Sequence, residues 1–263
     1  NTEAINLTLP TMQASMTRVY PFAPKSGTKE GIIQNVNFQV NARGEYRINT
    51  TDSLFGKSEM FDDARAGMRY SIPVTTNFKV FDHFSASVNA NFEENWTLKT
   101  VNKSWDIANQ EEIEIVKNGF DRYLTYNFGA SIGTTLYGMY NFQKKGKDPK
   151  IQAIRHVMRP SISYNVSPAF DQYYETYDVI DADGTTSDQV EYTRFENSLF
   201  GRPGNRYSSS IGLTVGNNFE AKIRAKDSTE TEPKKIFLLN NLNLTTSYDL
   251  AADSLNWSPL RVT

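Results

Sequence analysis

The sequence predicts an all-β chain that builds part of the wall of an antiparallel transmembrane β-barrel, with about eight strands present and the whole barrel larger. Three observations lead there. Apolar and polar residues alternate with period two over runs far longer than the ~5–6 residues of an ordinary strand. The apolar parity of the clear runs carries a single formal charge, Glu94, together with His156. The connections alternate between short and long, as they must when the strands of an up-and-down wall emerge by turns on two sides of a membrane.

Taken in order, a first strand falls around Ile5–Val19 and is interrupted by Pro10, which has no N–H to give a ladder. Val36–Ile48 is the clearest run, with Val36, Phe38, Val40, Ala42, Tyr46 and Ile48 alternating with Asn, Gln, Arg and Glu. The pattern returns in Ala66–Val80 and Phe84–Leu98. It holds even positions through Leu124–Phe142 and, more weakly, Ile154–Val166, uses odd positions in Tyr207–Ile223, and returns to even ones in Ile236–Leu250. At ~3.3 Å per residue and a tilt of about 40°, a run as long as Val36–Ile48 rises roughly 33 Å, enough to cross a hydrocarbon core.

Pro21–Gly31, Phe81–His83, Gln143–Lys150 and Ala225–Lys234 read as the short connections, and Asn49–Ala64, Thr100–Arg122 and Ser167–Arg206 as the long ones. In outer-membrane barrels the short turns are periplasmic and the long loops external, which orients the chain. Val40, Val74 and Val88 then face lipid near mid-membrane, and Gln39, Thr75 and Asn89 face a lumen. Aromatics near strand ends, such as Tyr70, Phe84, Trp96 and Tyr140, fit interfacial girdles, although single aromatics are also ordinary on strands.

Composition excludes several classes. The 263 residues contain 28 Lys+Arg, 30 Asp+Glu, 38% hydrophobic residues, 2 His and no Cys. Without cysteine there is no disulfide framework, thiolate nucleophile or iron–sulfur cluster, and two histidines argue against a His-rich metal centre. A net charge of -2 removes the electrostatic case for a nucleic-acid partner. No run approaches the roughly 18–20 apolar residues of a membrane helix, and the mean hydropathy is -0.54. With 14 Tyr and 16 Phe the chain is too aromatic to be disordered. It opens on Asn rather than Met with no signal segment before it, so a mature or partial chain is expected, a single region over 1–263 with no second domain.

Candidate sites are sparse. Arg43, Glu45, Arg47, Arg69 and Glu93 lie on the polar parity as lumen-facing candidates; they either recognise a charged substrate or simply line a water-filled lumen. Asp181-Ala-Asp183-Gly184 lacks the loop spacing of a calcium site and reads as solvated surface. Gly201-Arg-Pro-Gly204 lacks the Lys-Ser/Thr of a phosphate loop and reads as a turn. His83 in a tight turn and His156 on a strand signal no Ser-His-Asp triad, so no enzyme and no cofactor are expected. The lysine-rich Gln143–Lys150 turn is solvated or touches anionic headgroups.

Particular strings carry more. Leu9-Pro-Thr-Met12, Arg18-Val-Tyr-Pro-Phe22, Arg65-Ala-Gly-Met-Arg-Tyr-Ser-Ile-Pro73 and Leu136-Tyr-Gly-Met-Tyr140 are followed by Ile154-Arg-His-Val-Met-Arg-Pro-Ser-Ile-Ser-Tyr164 and by Asn241-Leu-Asn-Leu-Thr-Thr-Ser-Tyr-Asp-Leu-Ala-Ala-Asp-Ser-Leu-Asn-Trp-Ser-Pro259. Together, over nearly the whole chain, they resemble the barrel of the Bacteroidetes-type lipopolysaccharide (LPS) assembly family, LptD. The resemblance implies a very large outer-membrane barrel preceded by a periplasmic jellyroll, with an LptE-like lipoprotein inside. Such proteins receive LPS or lipooligosaccharide from periplasmic Lpt bridge proteins and release it to the outer leaflet through a lateral gate between first and last strands.

The chain departs from that pattern. It has too few strands, no jellyroll, and ends Arg261-Val-Thr263 rather than on a terminal aromatic strand, so an internal portion of the wall is expected, with the gate outside it and no regulatory disulfide within it. The alternative is another large outer-membrane barrel, such as a TonB-dependent transporter or protein-secretion channel, which predicts an upstream plug. A soluble all-β adhesin is a third reading. Asp52-Ser53-Leu54 and Asp253-Ser254-Leu255 resemble the periplasmic O-glycosylation acceptor of Bacteroidetes, although Ser53 and Ser254 read first as turn hydroxyls.

Overall fold

Alternation of period two places every second side chain on one face of a strand, so strands of this kind bury or wet a whole face when they pair. A computed structural model of the protein describes residues 3–143, 149–224 and 234–263. β1 (Ala4–Ser15) leads through a short helix, α1 (Gly31–Gln34), to β2 (Asn37–Phe38) and β3 (Asn41–Thr51). β4 (Arg65–Val80), β5 (Phe84–Asp106) and β6 (Glu111–Gly133) follow as a meander. β7 (Leu136–Asn141) and β8 (Ile151–Ser167) come next, then a separate hairpin of β9 (Tyr174–Ile180) and β10 (Thr186–Thr193). β11 (Ser208–Ile223), β12 (Lys234–Asp249) and β13 (Arg261–Val262) complete the chain.

All but the β9–β10 hairpin join one 11-stranded antiparallel sheet, ordered β1-β3-β4-β5-β6-β8-β11-β12-β13, with β2 on β4 and β7 on β8. The fold is the antiparallel wall that the alternation predicts, and it is open rather than closed among the described residues. Cross-strand register keeps the two parities apart. Thr75 pairs with Asn89 and Val74 with Ala90, Asn91 pairs with Asn127 and Phe92 with Tyr126, and Asn165 pairs with Ser210 while Tyr164 pairs with Ile211. One face of the sheet is therefore apolar across β4 to β11, and the other carries Ser, Thr, Asn and charges.

The structure corrects three details. Val36–Ile48 is two strands, and Leu124–Phe142 is also two, although the register with the partner strand runs through both breaks. The cause is the same in each: Gln39 lies opposite Pro73 and Thr134 opposite Pro160, and proline has no N–H for the ladder. Thr100–Arg122 is not a loop. β5 and β6 run on as a hairpin to Asp106 and Glu111, closed by a turn in which the Asp106 carboxylate accepts the Ala108 N–H at 2.9 Å. A register shift between Thr97 and Lys99 breaks the parity there, and beyond it charges stand on both faces. A ladder that is polar on both faces needs no alternation, so the pairing persists without its pattern. Third, Ser167–Arg206 is not only a long connection: it holds the β9–β10 hairpin and folds back over the sheet. The short connections Gln143–Lys150 and Ala225–Lys234 lie largely outside the described residues; Phe81–His83 is the tight turn expected, with Phe81 at φ 48° and Asp82 at φ 58°.

Candidate functional site

The polar face begins as a ladder of small hydrogen-bonding side chains. Ser87 and Ser131 hydroxyls meet at 2.7 Å, and Asn91 donates to Asn127 at 3.0 Å. The sequence-predicted charges stand on the same face toward the long-loop end. Glu45 is 5% exposed and is clamped between Arg43 and Arg47, the latter at 3.0 Å. Arg69, the cross-strand partner of Arg43, holds Glu93 at 3.3 Å and the Asn95 amide oxygen at 3.1 Å. The five candidates thus form two ion-pair groups on neighbouring strands. An unpaired charge at this position would cost far more than a paired one, which is why the acids sit between guanidinium groups.

The segment after β10 roofs this ladder. Arg65 donates to the Asn197 carbonyl at 3.2 Å, Arg69 to the Phe200 carbonyl, and Tyr123 to the Gly201 carbonyl at 2.6 Å. Gly67 allows the close approach: a Cβ there would lie 3.3 Å from the Leu199 Cβ and 3.1 Å from the Trp96 carbonyl. Phe195, fully buried, packs against Tyr123 at 4.8 Å and Tyr173 at 5.7 Å between ring centroids. Loop carbonyls so placed would be orphaned acceptors without the arginine and tyrosine donors from the sheet.

A charge cluster pins the roof from the extended hairpin. Lys103 lies 2.8 Å from Glu112, 2.9 Å from Glu196 and 3.6 Å from Glu114. Hydrogen bonding to Glu112 raises the Lys103 ammonium above its ordinary range. Glu112 in turn is held below the usual carboxylate range, first by Lys103 and then by the Tyr177 hydroxyl, and that bond pushes the Tyr177 phenol up to about 12. Arg194 pairs with Asp121 at 2.7 Å, and Tyr174 donates to the buried Pro203 carbonyl at 2.6 Å. Sequence reading missed Arg65, Lys103, Tyr123, Phe195 and the Gly201–Gly204 turn as parts of one assembly. The available signal was two phenylalanines, Phe195 and Phe200, in a segment read as a long connection.

The apolar face handles its exceptions locally. Glu94 accepts from the Trp96 indole N–H at 3.0 Å and pairs with Arg122 at 2.8 Å, while Tyr70 and Phe120 flank Trp96 at 4.8 and 5.5 Å. His156 stacks on Phe219 at 4.1 Å and reaches the Asn217 amide oxygen at 2.9 Å. Among the other candidates, Ser53 is exposed with its hydroxyl 2.9 Å from that of Thr51, and Ser254 is exposed before Leu255 at φ 55°. Asp183 caps a turn through the Thr185 N–H at 2.9 Å. Among the described residues no cluster of acidic or His side chains could hold a metal, and no helix is long and apolar enough to cross a membrane.

Long antiparallel strands with one apolar face and one polar, loop-covered face define a wall of the transmembrane β-barrel class. The chain belongs to the LptD protein family, whose model matches residues 1–263. Membership ties it to outer-membrane transport and assembly of LPS, a transport role rather than a catalytic one. No curated protein and no solved structure matches the chain.

Proposed function

We propose that the chain is an internal portion, a single region over 1–263, of the barrel wall of a Bacteroidetes-type LPS translocon. In this reading its polar face lines the lumen through which LPS or lipooligosaccharide reaches the outer leaflet. The observation that supports it most is the division of the sheet into an apolar and a polar face. The physical logic is that a polar lumen hydrates sugar and phosphate while acyl chains leave sideways into the bilayer, so charge never crosses hydrocarbon. Arg43, Glu45, Arg47, Arg69 and Glu93 line the lumen, and an LptE-like lipoprotein sits inside the complete barrel. Periplasmic Lpt bridge proteins supply the glycolipid, and the lateral gate is formed by strands outside this chain. Ser53, in an external loop, is the better placed of the two glycosylation candidates.

Depletion of the protein tests the reading. Newly made LPS should stop reaching the cell surface, measured by labelling intact cells, while its synthesis continues. Undiminished surface LPS after depletion would rule the role out.

A further inference from the structure

A polar cavity of about 450 Å³ lies on the polar face beneath the loop roof. Its floor is Ser71, Asn91, Thr125 and Asn127 with Glu93, from β4, β5 and β6, and its roof carries Arg202 and Arg206 from the Gly201–Gly204 turn and the residues after it. The volume falls within the range of small-ligand sites, roughly 300–1,000 Å³.

The charges in it are not balanced. Glu93 is engaged by Arg69 at 3.3 Å. Glu196, the acid nearest Arg202 at 4.0 Å, is already committed to Lys103 at 2.9 Å. Arg206 makes no ion pair among the described residues. Two guanidinium groups therefore border the cavity, each with the planar fork of donors that suits phosphate oxygens, together with a floor of amides and hydroxyls. One hydrogen bond between Asn91 and Asn127 at 3.0 Å leaves each amide with donors and acceptors to spare, as sugar hydroxyls require. The turn is built to hold this geometry: Pro203 is buried, Gly201 takes φ 95°, and its carbonyl is fixed by Tyr123 at 2.6 Å.

We propose that this cavity binds a phosphorylated saccharide, the headgroup of the anionic glycolipid in transit, with Arg202 and Arg206 on phosphate and the Ser71, Asn91, Thr125 and Asn127 floor on the sugar. The inference rests on the lumen reading above and deepens it. The sequence offers the turn Gly201-Arg-Pro-Gly204 without a phosphate-loop pattern, and here it acts through side chains rather than backbone N–H groups.

Calorimetry on the protein carrying the whole chain, purified in detergent, tests it with three probes: a phosphorylated glucosamine disaccharide, the same disaccharide without phosphate, and inorganic phosphate. The phosphorylated disaccharide should bind most tightly, with each of the others at least about tenfold weaker, and Arg202→Gln with Arg206→Gln should weaken it by roughly tenfold or more. Both arginines are exposed, so the variant should keep the heat-dependent gel mobility of a folded barrel; if it does not, Asn91→Leu should produce the loss instead. Unchanged binding in the variant would overturn the proposal, and inorganic phosphate binding as well as the phosphorylated disaccharide would overturn its saccharide part. The depletion experiment separates the two readings: surface LPS that depends on the protein alongside unchanged variant binding removes only the cavity proposal.

Discussion

Val88 and Asn89 are chain neighbours in opposite surroundings. Val88 shares the apolar face with Ala90 and with Ala130, its partner on β6, while Asn89 pairs with Thr75 and Gly129 on the polar one. Val88→Arg should cost about 2–4 kcal/mol in the assembled wall, and Asn89→Arg little, because only the first buries a charge in hydrocarbon. Denaturant titration of heat-modifiable mobility in lipid reads the difference; equal losses would contradict the assignment of faces. Residues that break the face rule are satisfied by neighbours on the same face, as Glu94 is by Arg122 and Trp96. Such exceptions are invisible in sequence, since the partner strand is unknown there, whereas parity itself needs no partner.

At the scale of elements, the extended β5–β6 hairpin and the roof are joined by the Lys103 cluster, and its titration has a definite sign. Glu112 has a depressed pKa, so its contribution is present above the ordinary carboxylate range and is lost as pH falls through the lower folded value. Lys103 is raised, so its contribution is present below the ordinary lysine range and is lost only as pH climbs through the higher folded value. Hydrogen exchange of residues 186–206, corrected for intrinsic rate, should therefore be flat between about pH 6 and 9 and rise below about pH 4. Lys103→Met should raise it at neutral pH; exchange unaffected by both acid and substitution would show that the cluster does not hold the roof. The runs Ala66–Val80 and Phe84–Leu98 were legible because a sheet with one apolar and one polar face enforces alternation. The hairpin beyond Leu98 was not, because water on both sides removes the constraint, and the two breaks opposite Pro73 and Pro160 depend on a register that sequence does not contain. The candidate site was legible as individual charges, from Arg43 to Glu93, but not as a roofed assembly, because Arg65 and Tyr123 meet Asn197 and Gly201 only through long-range folding.

For the whole molecule, the proposed wall predicts an orientation, with the roof end outside the cell and the Phe81–His83 turn in the periplasm. Ser187 and His83 are both exposed. Cysteine at Ser187 should react with an impermeant maleimide on intact cells, and cysteine at His83 only after the outer membrane is permeabilised; the opposite pattern would invert the topology. The central claim is that the polar face conducts an anionic glycolipid, and site-specific photo-crosslinking from Asn91 tests it most directly. A photoreactive residue at Asn91, in growing cells, should give an LPS adduct that disappears when LPS supply is shut off. No adduct at Asn91 while LPS still reaches the surface would contradict it.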